Sequence, residues 1–501
     1  MRDRIMGEEI EWVGGYRTKP ENSWSDAGDV FSKVIEALCL EYKYFSISNN
    51  DSFLPNGAKI YFESSGKHIE TASPECSGAL EMLKFDKWSE TVICKIAKNL
   101  KETVGELVFY KKNTDNNLLH TRGCHENYLS GRILGRLITE SESRFRNQTP
   151  TFLSVHPEIN YFILFLITRQ IFTGSGGVML YSLQNGTDIY EISPRTKFID
   201  DILSGNTTGG GSRAIINTRN EPLASSDEFW RIHLILGDAN MADLSIFLKF
   251  GTTSAIIEMI EEGFWNEDLC LEEPTKAPNI LRNISKDLTL KNVPIRLKNG
   301  ATYTALQIQK KFCENWRRYL RYTHQGGEKA EVAQRWKETL DRLEIDDEGL
   351  YSQLDWKIKM RLIWDFINKK SIPLNHKSIV NIDNLYHSPD REISFYYKLK
   401  NRPGSKIESL ISESEILKAE RVPPETRAKL RVYFKKFFSK LYLPHCASWE
   451  HVTFKINASE ACEHKIHMPD PRLSSVTSLN LPINAEAIKY LNALKPNAII
   501  I

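Results

Sequence analysis

The chain has 501 residues, of which 41% are hydrophobic and 26% are charged, values typical of a folded globular protein with more than one domain. Lys and Arg total 66 against 64 for Asp and Glu, so a net charge of +2 does not favour a nucleic-acid-binding protein. The eight cysteines contain no C-x-x-C pair, which argues against a zinc ribbon or a disulfide scaffold and favours free thiols in a reducing compartment.

Two hydrophobicity features bear on location. The segment Met1–Met6 is polar and charged and lacks the apolar core of a signal peptide. The most apolar run, Tyr161–Ile167, is too short to cross a bilayer. We therefore expect a cytoplasmic protein with no membrane partner.

The N-terminal stretch Gly7–Trp12 alternates polar and apolar residues and predicts a β-strand. Alternation sends Glu9 and Glu11 to the same face of that strand. Acidic side chains on one face of a buried strand repel each other unless a cation neutralises them. The strand therefore indicates a cation site, the alternative being a solvated edge strand.

A second acidic stretch extends from Lys59 to Glu75 and contains three glutamates, a tyrosine and two lysines. Magnesium prefers hard oxygen ligands and often bridges phosphate oxygens, while lysine neutralises phosphate. This composition and spacing suit a site that binds a metal ion together with a phosphate group.

The rest of the chain mixes helical and strand patterns. Apolar residues at helical spacing predict a helix over Asp29–Tyr42. The region from 303 to 370 is strongly helical, and its tryptophans have the spacing of core packing between helices. Those tryptophans are Trp316, Trp336, Trp356 and Trp364, and the predicted strands include Gly177–Tyr181, Ala214–Asn217 and Ile232–Leu236.

The helix-breaking stretch Val422–Pro424 indicates a domain boundary, with one domain over 1–421 and a small domain over 422–501. A basic helix over Glu425–Leu441 should open the small domain. Strands are expected at His451–Ile456 and around Cys462–His467.

Ten short sequence blocks look like blocks of one enzyme family, and they follow one another in that family's order. They are Asn113–Asp115, Gly123–Leu129, Arg169–Ile171, Ile192–Arg195, Ile215–Pro222, Arg231–Met241, Gly251–Thr253, Leu354–Trp356, Val422–Arg427 and Ser448–Trp449. With the two acidic stretches, they resemble the Pup–protein ligase family, also called proteasome accessory factor A. The resemblance covers nearly all 501 residues. A chance match of so many ordered blocks is very improbable, although each alone is weak evidence.

The resemblance implies an α+β fold like that of glutamine synthetase and the γ-glutamyl ligases. In that fold a curved, mostly antiparallel sheet with helices behind it forms the catalytic domain, here residues 1–421. The small C-terminal domain would contribute to the ATP site. ATP and Mg²⁺ are therefore the implied cofactors.

The matching motifs also imply roles for individual residues. The implied magnesium ligands are Glu9, Tyr61 and Glu70. The implied ATP contacts are Lys59, Ser73 and Trp449, and the cations expected to stabilise the transferring phosphoryl group are Lys59, Arg195 and Arg219. Further candidates, whose roles the resemblance does not separate, are His125, Glu126, His233 and Asn240.

Three positions depart from the family pattern. Glu63 stands where the family has the aspartate that accepts a proton from the attacking lysine, and the following loop, Ser64–Lys67, is one residue longer. Lys59 replaces the usual arginine and lacks its bidentate fork. Ser73 replaces the usual threonine but keeps the hydroxyl. Because a shift of about 1 Å in a catalytic group can cost roughly a hundredfold in rate, the changes at Glu63 bear most on activity.

The implied activity is an ATP-dependent ligation of the γ-carboxylate at the C-terminal glutamate of Pup, or of a related modifier, to lysines of target proteins. The alternatives are a Pup deamidase or depupylase of the same fold, a ligase for a small amine, and a non-catalytic binding protein. The deamidase branch carries a long loop before its catalytic carboxylate, whereas about fifty residues with predicted structure separate Glu11 from Glu63 here. This spacing favours the ligase.

The modifier is expected to be a disordered acidic peptide that folds on binding to a local basic surface. The proposed surface is the charged face of the C-terminal helix, formed by Arg427, Lys429, Arg431, Lys435 and Lys436.

Overall fold

The computed structural model describes residues 4–42, 45–48, 50–63, 68–115, 119–146, 156–206, 213–219, 221–455 and 464–475. The strands in these ranges are β1 (Ile5–Glu11), β2 (Val13–Arg17), β3 (Ser25–Asp26), β4 (Lys59–Glu63), β5 (His68–Ala72), β6 (Cys76–Ser77), β7 (Glu106–Tyr110), β8 (Cys124–Gly131), β9 (Gly177–Met179), β10 (Ile189–Glu191), β11 (Ile199–Ser204), β12 (Arg213–Asn217), β13 (Phe229–Leu234), β14 (Ile295–Arg296), β15 (Thr302–Tyr303), β16 (His445–Ala447), β17 (His451–Phe454) and β18 (His464–His467).

The α-helices in the same ranges are α1 (Phe31–Glu41), α2 (Ala79–Asn99), α3 (Lys101–Val104), α4 (Arg132–Arg146), α5 (Pro157–Thr168), α6 (Gln170–Thr173), α7 (Asp243–Glu261), α8 (Ala277–Lys286), α9 (Ala305–Thr323), α10 (Glu328–Glu344), α11 (Asp355–Lys370), α12 (Lys377–Tyr386), α13 (Phe395–Asn401), α14 (Glu413–Ala419) and α15 (Arg427–Lys440). Short 3-10 helices join some of them. The predicted α+β class is confirmed.

The main sheet has eight strands in the order β11-β12-β13-β8-β1-β5-β4, with β6 also paired to β1. The pair β11 and β12 is parallel, and the other pairs are antiparallel. Strand β1 therefore lies inside the sheet between β8 and β5. The prediction of a mostly antiparallel sheet is confirmed.

Helices pack against the reverse face of this sheet, where two buried glutamates lie directly opposite each other. Glu8 of β1 is the register partner of Glu126 of β8. Lys249 Nζ of α7 lies 2.9 Å from Glu8 Oε1, and Arg169 Nη1 lies 2.8 Å from Glu126 Oε2. Because an unpaired buried charge is very costly, each carboxylate needs its own cation here.

The helical core agrees with the sequence patterns. The predicted helix at Asp29–Tyr42 is present as a 3-10 turn followed by α1. The apolar run Tyr161–Ile167 lies in α5 and is fully buried. Within the described ranges, no helix is both long and apolar enough to cross a membrane.

The tryptophans of the helical region are core residues with one exception. Trp316, Trp336 and Trp356 are at most 1% exposed, as predicted. Trp364 is 37% exposed and contacts the Tyr190 ring edge to face, with centroids 5.7 Å apart. The core prediction was therefore wrong for Trp364, because its position on α11 faces partly outward.

The C-terminal segment forms α15 and a small antiparallel sheet of β16, β17 and β18. The first of these strands was not predicted from the sequence. An apolar cluster joins the helix to the sheet, and Phe53 from the N-terminal half packs into it. The domain boundary before Val422 stays a prediction.

The basic face predicted for α15 is wrong. Arg427, Arg431 and Lys435 recur every four residues, so they form one stripe on the helix. That stripe faces inward: each of the three side chains is at most 2% exposed. The two arginines pair with Glu75, and Lys435 Nζ lies 2.5 Å from Asp51 Oδ1. Of the five predicted residues, Lys429 and Lys436 remain exposed.

The Asp51–Lys435 pair should matter for stability far more than a surface pair. Asp51 also accepts a hydrogen bond from the Ala447 backbone N at 2.8 Å. Asp51→Asn should lower the free energy of unfolding by about 3 to 5 kcal/mol, because it leaves a buried ammonium without its counter-charge. Chemical denaturation would measure this loss.

The exposed pair of Glu425, just before α15, and Lys429, on α15, provides the control. Glu425→Gln should change the free energy of unfolding by about 0.5 kcal/mol or less. Equal effects of the Asp51 and Glu425 substitutions would contradict a structural role for the buried pair.

Candidate active site

Strand register gathers the acidic residues of two distant sequence segments on one face of the main sheet. Glu9 and Glu11 lie on the same face of β1, as predicted. Glu70 of β5 is the register partner of Glu11, and Tyr61 of β4 is the partner of Glu70. The three predicted magnesium ligands therefore share a face, and Glu11 joins them.

The carboxylates of Glu11 and Glu70 meet at His68. His68 Nε2 lies 2.9 Å from Glu70 Oε1 and 3.6 Å from Glu11 Oε2. The backbone N of Gly123 donates a hydrogen bond to Glu11 Oε2 at 2.5 Å. All three side chains of this group are at least nine-tenths buried.

Glu9 has a separate set of neighbours on β8 and β13. His125 Nδ1 lies 3.3 Å from Glu9 Oε2, and Asn127 Nδ2 donates to Glu9 Oε1 at 3.2 Å. Arg231 Nη1 lies 3.7 Å from Glu9 Oε1, and His233 Nε2 lies 4.0 Å from Glu9 Oε2. His125 Nε2 also lies 3.4 Å from Glu11 Oε1, so it links the two groups.

The carboxylates of this face differ in their electrostatics. Burial, and then the charges of Glu11 and Glu9, raise the pKa of Glu70 above its ordinary value. Burial also opposes the charged form of Glu9, but the hydrogen bond from His125 and the charge of Arg231 lower its pKa overall. A carboxyl whose pKa rises because of like charges is one that a bound cation would stabilise as the anion.

Two groups of donor atoms could hold a cation: Glu9, His125 and His233, and Glu11, His68 and Glu70. In each group the ligand atoms lie within 4.8 Å of one another. Both ring nitrogens of buried His233 lack a hydrogen-bond partner among the described residues. The carboxylate oxygens fit the preference of Mg²⁺ for hard ligands, and the phenol oxygen of Tyr61 adds a further hard donor on the same face.

A cleft of about 560 Å³, including the space at its mouth, opens beside Glu9. Ser73 and Trp449 line it, so two of the three predicted ATP contacts and one predicted metal ligand meet at one cleft. Arg231 lines it too, while Ile5, Leu129, Pro222, Leu223 and Pro471 form apolar walls. Arg427 is a second arginine of the lining. A cleft with apolar walls, two guanidinium groups and a carboxylate face is suited to a ligand with both a flat apolar part and an anionic part.

Ser73 and Lys59, two of the three predicted ATP contacts, differ in their surroundings. Ser73 Oγ accepts a hydrogen bond from the Glu8 backbone N at 2.9 Å and donates to Pro74 O at 3.0 Å. Lys59 Nζ lies 5.3 Å from the centroid of the Phe53 ring. Burial lowers the pKa of Lys59 below its ordinary value.

The two predicted arginines lie outside the lining of the cleft. Arg195 is 2% exposed and donates from Nη1 to Thr121 Oγ1 at 2.6 Å. Burial lowers its pKa to about 10, although Glu11 opposes the shift. The Arg219 side chain is 43% exposed and lies 3.6 Å from Glu221. The structure thus brings Arg195 close to the carboxylate face and leaves Arg219 near the surface.

Glu63 ends strand β4 and is the register partner of His68. It shares a strand face with Tyr61 and Lys59, because the three residues occupy every second position of β4. The loop Ser64–Lys67, where the extra residue was identified, lies outside the described residues. Glu63 is therefore adjacent to the metal-binding face but does not belong to either donor group.

The structure divides the four candidates whose roles were left open into two groups. His125 and His233 face the carboxylates, as described above. Glu126 lies on the reverse face with Arg169. Asn240 is fully buried and donates from Nδ2 to Thr173 O at 3.0 Å and to Asp355 Oδ2 at 3.1 Å. The first two belong to the site, and the last two support the fold.

Three residues of this face had no predicted site role, namely His68, Asn127 and Arg231. Alternation along β5 could have identified His68, because it is two residues from Glu70. Asn127 and Arg231 depend on the pairing of β8 with β1 and β13, which a single sequence does not specify.

The chain is similar to known proteins in both sequence and fold. Solved structures with similar folds include a complex between the prokaryotic ubiquitin-like protein Pup and its ligase PafA, with a TM-score of 0.79 and 27% identity over 99% of this chain and 92% of that one. They also include the Pup ligase PafA in complex with ADP, with a TM-score of 0.73 and 28% identity over 96% of this chain and 97% of that one.

Curated relatives give the same result. A Pup–protein ligase of Acidimicrobium ferrooxidans is 31% identical over 84% of this chain and 87% of that protein. A Pup–protein ligase of a Nocardioides species is 32% identical over 85% of this chain and 89% of that protein. The family model described as Pup-ligase protein matches residues 11–453. The chain therefore belongs to the Pup-ligase family.

Proposed function

We propose that this protein is an ATP- and magnesium-dependent ligase that joins the γ-carboxylate of the C-terminal glutamate of Pup, or of a Pup-like modifier, to lysine side chains of target proteins. The observation that carries the proposal is the buried carboxylate face beside a cleft lined by both Ser73 and Trp449. The similarity of this chain to proteins named Pup–protein ligases, and to the PafA structures with Pup and with ADP, supports the same activity.

The reaction needs an activated carboxylate, because a free carboxylate is a poor electrophile. ATP would supply this activation by transferring its γ-phosphoryl group to the γ-carboxylate, which forms an acyl phosphate and releases ADP. The lysine amine would then displace the phosphate. Glu9, Tyr61 and Glu70 would hold the magnesium ion, which would supply positive charge near the phosphate groups. Ser73 and Trp449 would bind and orient the nucleotide, which reduces the entropic cost of reaching a reactive geometry.

The cations around the site would stabilise negative charge on the transferring phosphoryl group. We assign this role to Lys59, Arg195 and Arg219 from the family motifs. Arg231 is added from the geometry, because its guanidinium lines the cleft 3.7 Å from Glu9. The charge of Lys59 acts as a point charge, without the bidentate contact that an arginine would make.

The attacking lysine also needs a base. A free lysine has a pKa near 10.4, so only about one amine in a thousand is neutral near pH 7.5. A carboxylate next to the amine can accept its proton as the C–N bond forms, which contributes roughly 100 to 10,000-fold in rate. Glu63 is the proposed base, since it lies on the same strand face as Tyr61 and outside both donor groups.

Two alternatives fit the structure less well. A Pup deamidase would be expected to carry a long loop before the catalytic carboxylate, whereas α1 and short strands occupy the described residues between Glu11 and Glu63. A binding protein without catalysis would have no reason to bury several like charges on one face. The cytoplasmic location expected from the sequence stays a prediction.

One incubation separates these possibilities. The protein is mixed with ATP, magnesium, a Pup-like peptide that ends in glutamate and a lysine-rich acceptor, and intact mass is measured. A ligase should yield the sum of acceptor and peptide less one water. Conversion of a peptide that ends in glutamine, without any conjugate from the glutamate form, would favour the deamidase instead.

Glu63→Gln should abolish conjugation while leaving nucleotide affinity nearly unchanged, because it removes the base and keeps the shape. The conjugate is quantified by intact mass, and Glu36→Gln, on the exposed face of α1, serves as the control with wild-type activity. Conjugation by the Glu63→Gln variant at more than about a tenth of the wild-type rate would show that Glu63 is not the base.

Glu63→Asp should lower the rate of conjugation if the longer side chain and the longer loop compensate each other. A higher rate would show that Glu63 is only tolerated.

Glu9→Ala and Glu70→Ala should each lose magnesium-dependent ATP binding, because the cation would keep too few anionic ligands to hold it against water. Calorimetry with ATP and magnesium measures the affinity. Thermal unfolding gives a second readout, since a ligand that binds the folded state raises its midpoint. Glu106→Ala, which removes an exposed carboxylate on β7, should behave like wild type. Unchanged affinity in both site variants would refute the metal assignment.

A further inference from the structure

An arginine of the small C-terminal segment contacts two aromatic rings beneath the cleft. The guanidinium carbon of Arg431 lies 4.5 Å from the ring centroid of Phe53 and 5.0 Å from that of Trp449. The two rings meet edge to face, with centroids 4.9 Å apart. A planar guanidinium over aromatic rings restricts their orientation as well as its own.

The Arg431 guanidinium also pairs with the carboxylate of Glu75, which lies in the segment after β5. Arg431 Nη1 donates to Glu75 Oε1 at 3.0 Å, and Nη2 donates to Glu75 Oε2, so the contact is bidentate. Arg431 Nη1 also donates to the backbone O of Trp449 at 2.9 Å. Arg431 therefore contacts both the ring and the backbone of Trp449 while it is fixed to Glu75.

These contacts reach the cleft indirectly. Glu75 and Trp449 line the cleft, and Ser73 lies two residues before Glu75. The Arg431 side chain has no exposed surface and does not line the cleft. Any effect of Arg431 on a ligand in the cleft must therefore pass through its neighbours.

We propose that Arg431 is a positioning residue for the nucleotide, which sets the orientation of Trp449 relative to the strand segment that carries Ser73. The inference rests on the proposed function, because it takes the cleft as the nucleotide site. It adds a residue that touches no substrate and determines nucleotide affinity through Trp449.

Arg431→Lys tests the proposal most directly. Lysine keeps a positive charge beside Glu75 but loses the planar fork that contacts the rings and the Trp449 carbonyl. The dissociation constant for ATP with magnesium, measured by calorimetry, should rise about tenfold, and the KM for ATP should rise with it. The kcat for conjugation at saturating ATP should stay within about threefold of wild type, because chemistry is not altered once the nucleotide is bound.

Two further variants keep the test decisive. Lys429→Ala changes an exposed basic residue of the same helix and should leave nucleotide affinity within about twofold of wild type. If circular dichroism shows that Arg431→Lys is unfolded, Phe53→Leu removes one ring from the guanidinium without changing charge. This variant should also raise the dissociation constant for ATP, and unchanged affinity in it would overturn the proposal.

A double-mutant cycle distinguishes positioning from general destabilisation. If Arg431 acts through Trp449, Arg431→Lys should weaken ATP binding little further in a protein that already carries Trp449→Ala. Fully additive losses, or wild-type affinity in a folded Arg431→Lys variant, would overturn this inference alone. Failure of the wild-type protein to bind ATP with magnesium would overturn the proposed function and the inference with it.

Discussion

The pairing of β1 with β8 and β5 places buried carboxylates on both faces of the same strands, and the organisation of the molecule depends on how each face is neutralised. On the reverse face, Glu8 and Glu126 each have a cation from the helical layer, Lys249 and Arg169. On the opposite face, which carries Glu9, Glu11 and Glu70, the carboxylates outnumber the arginines and lysines that contact them among the described residues. Within that part of the chain, the charge balance is therefore complete behind the sheet and incomplete on the other face, an arrangement that suits a divalent cation.

The second organising feature is the contact between the two parts of the chain that form the cleft. The segment after β5 supplies Ser73 and Glu75, and the C-terminal segment supplies Trp449 and the arginines of α15. The proposed nucleotide site, to which both parts contribute, needs them held in a fixed relation. Buried charged hydrogen bonds provide this directionality, which an apolar contact alone would not.

Much of the site could be predicted from the sequence because strand alternation is a local property. The shared face of Glu9 and Glu11, and that of Tyr61 and Glu63, follow from a period of two residues. Register between strands is not local, so the placement of Arg231 beside Glu9 required the pairing of β13 with β8.

The helices show the same limit. Helical periodicity predicted α1 and the helical region that contains α9, α10 and α11, yet it could not decide which way a stripe faces. The basic stripe of α15 was predicted to be an exposed surface that binds the modifier. The structure shows that it faces inward, where Asp51 and Glu75 provide the opposite charges. Long-range charge pairs of this kind leave no periodic signal in the sequence.

The buried pairs across position 422 also bear on how the chain folds. Asp51 and Glu75 belong to the first 421 residues, and their cationic partners belong to α15. If either piece were expressed alone, it would have to expose or bury ionised groups without their partners. The C-terminal segment is therefore expected to gain its structure together with the main sheet, as part of one cooperative unfolding unit that spans the predicted boundary at Val422.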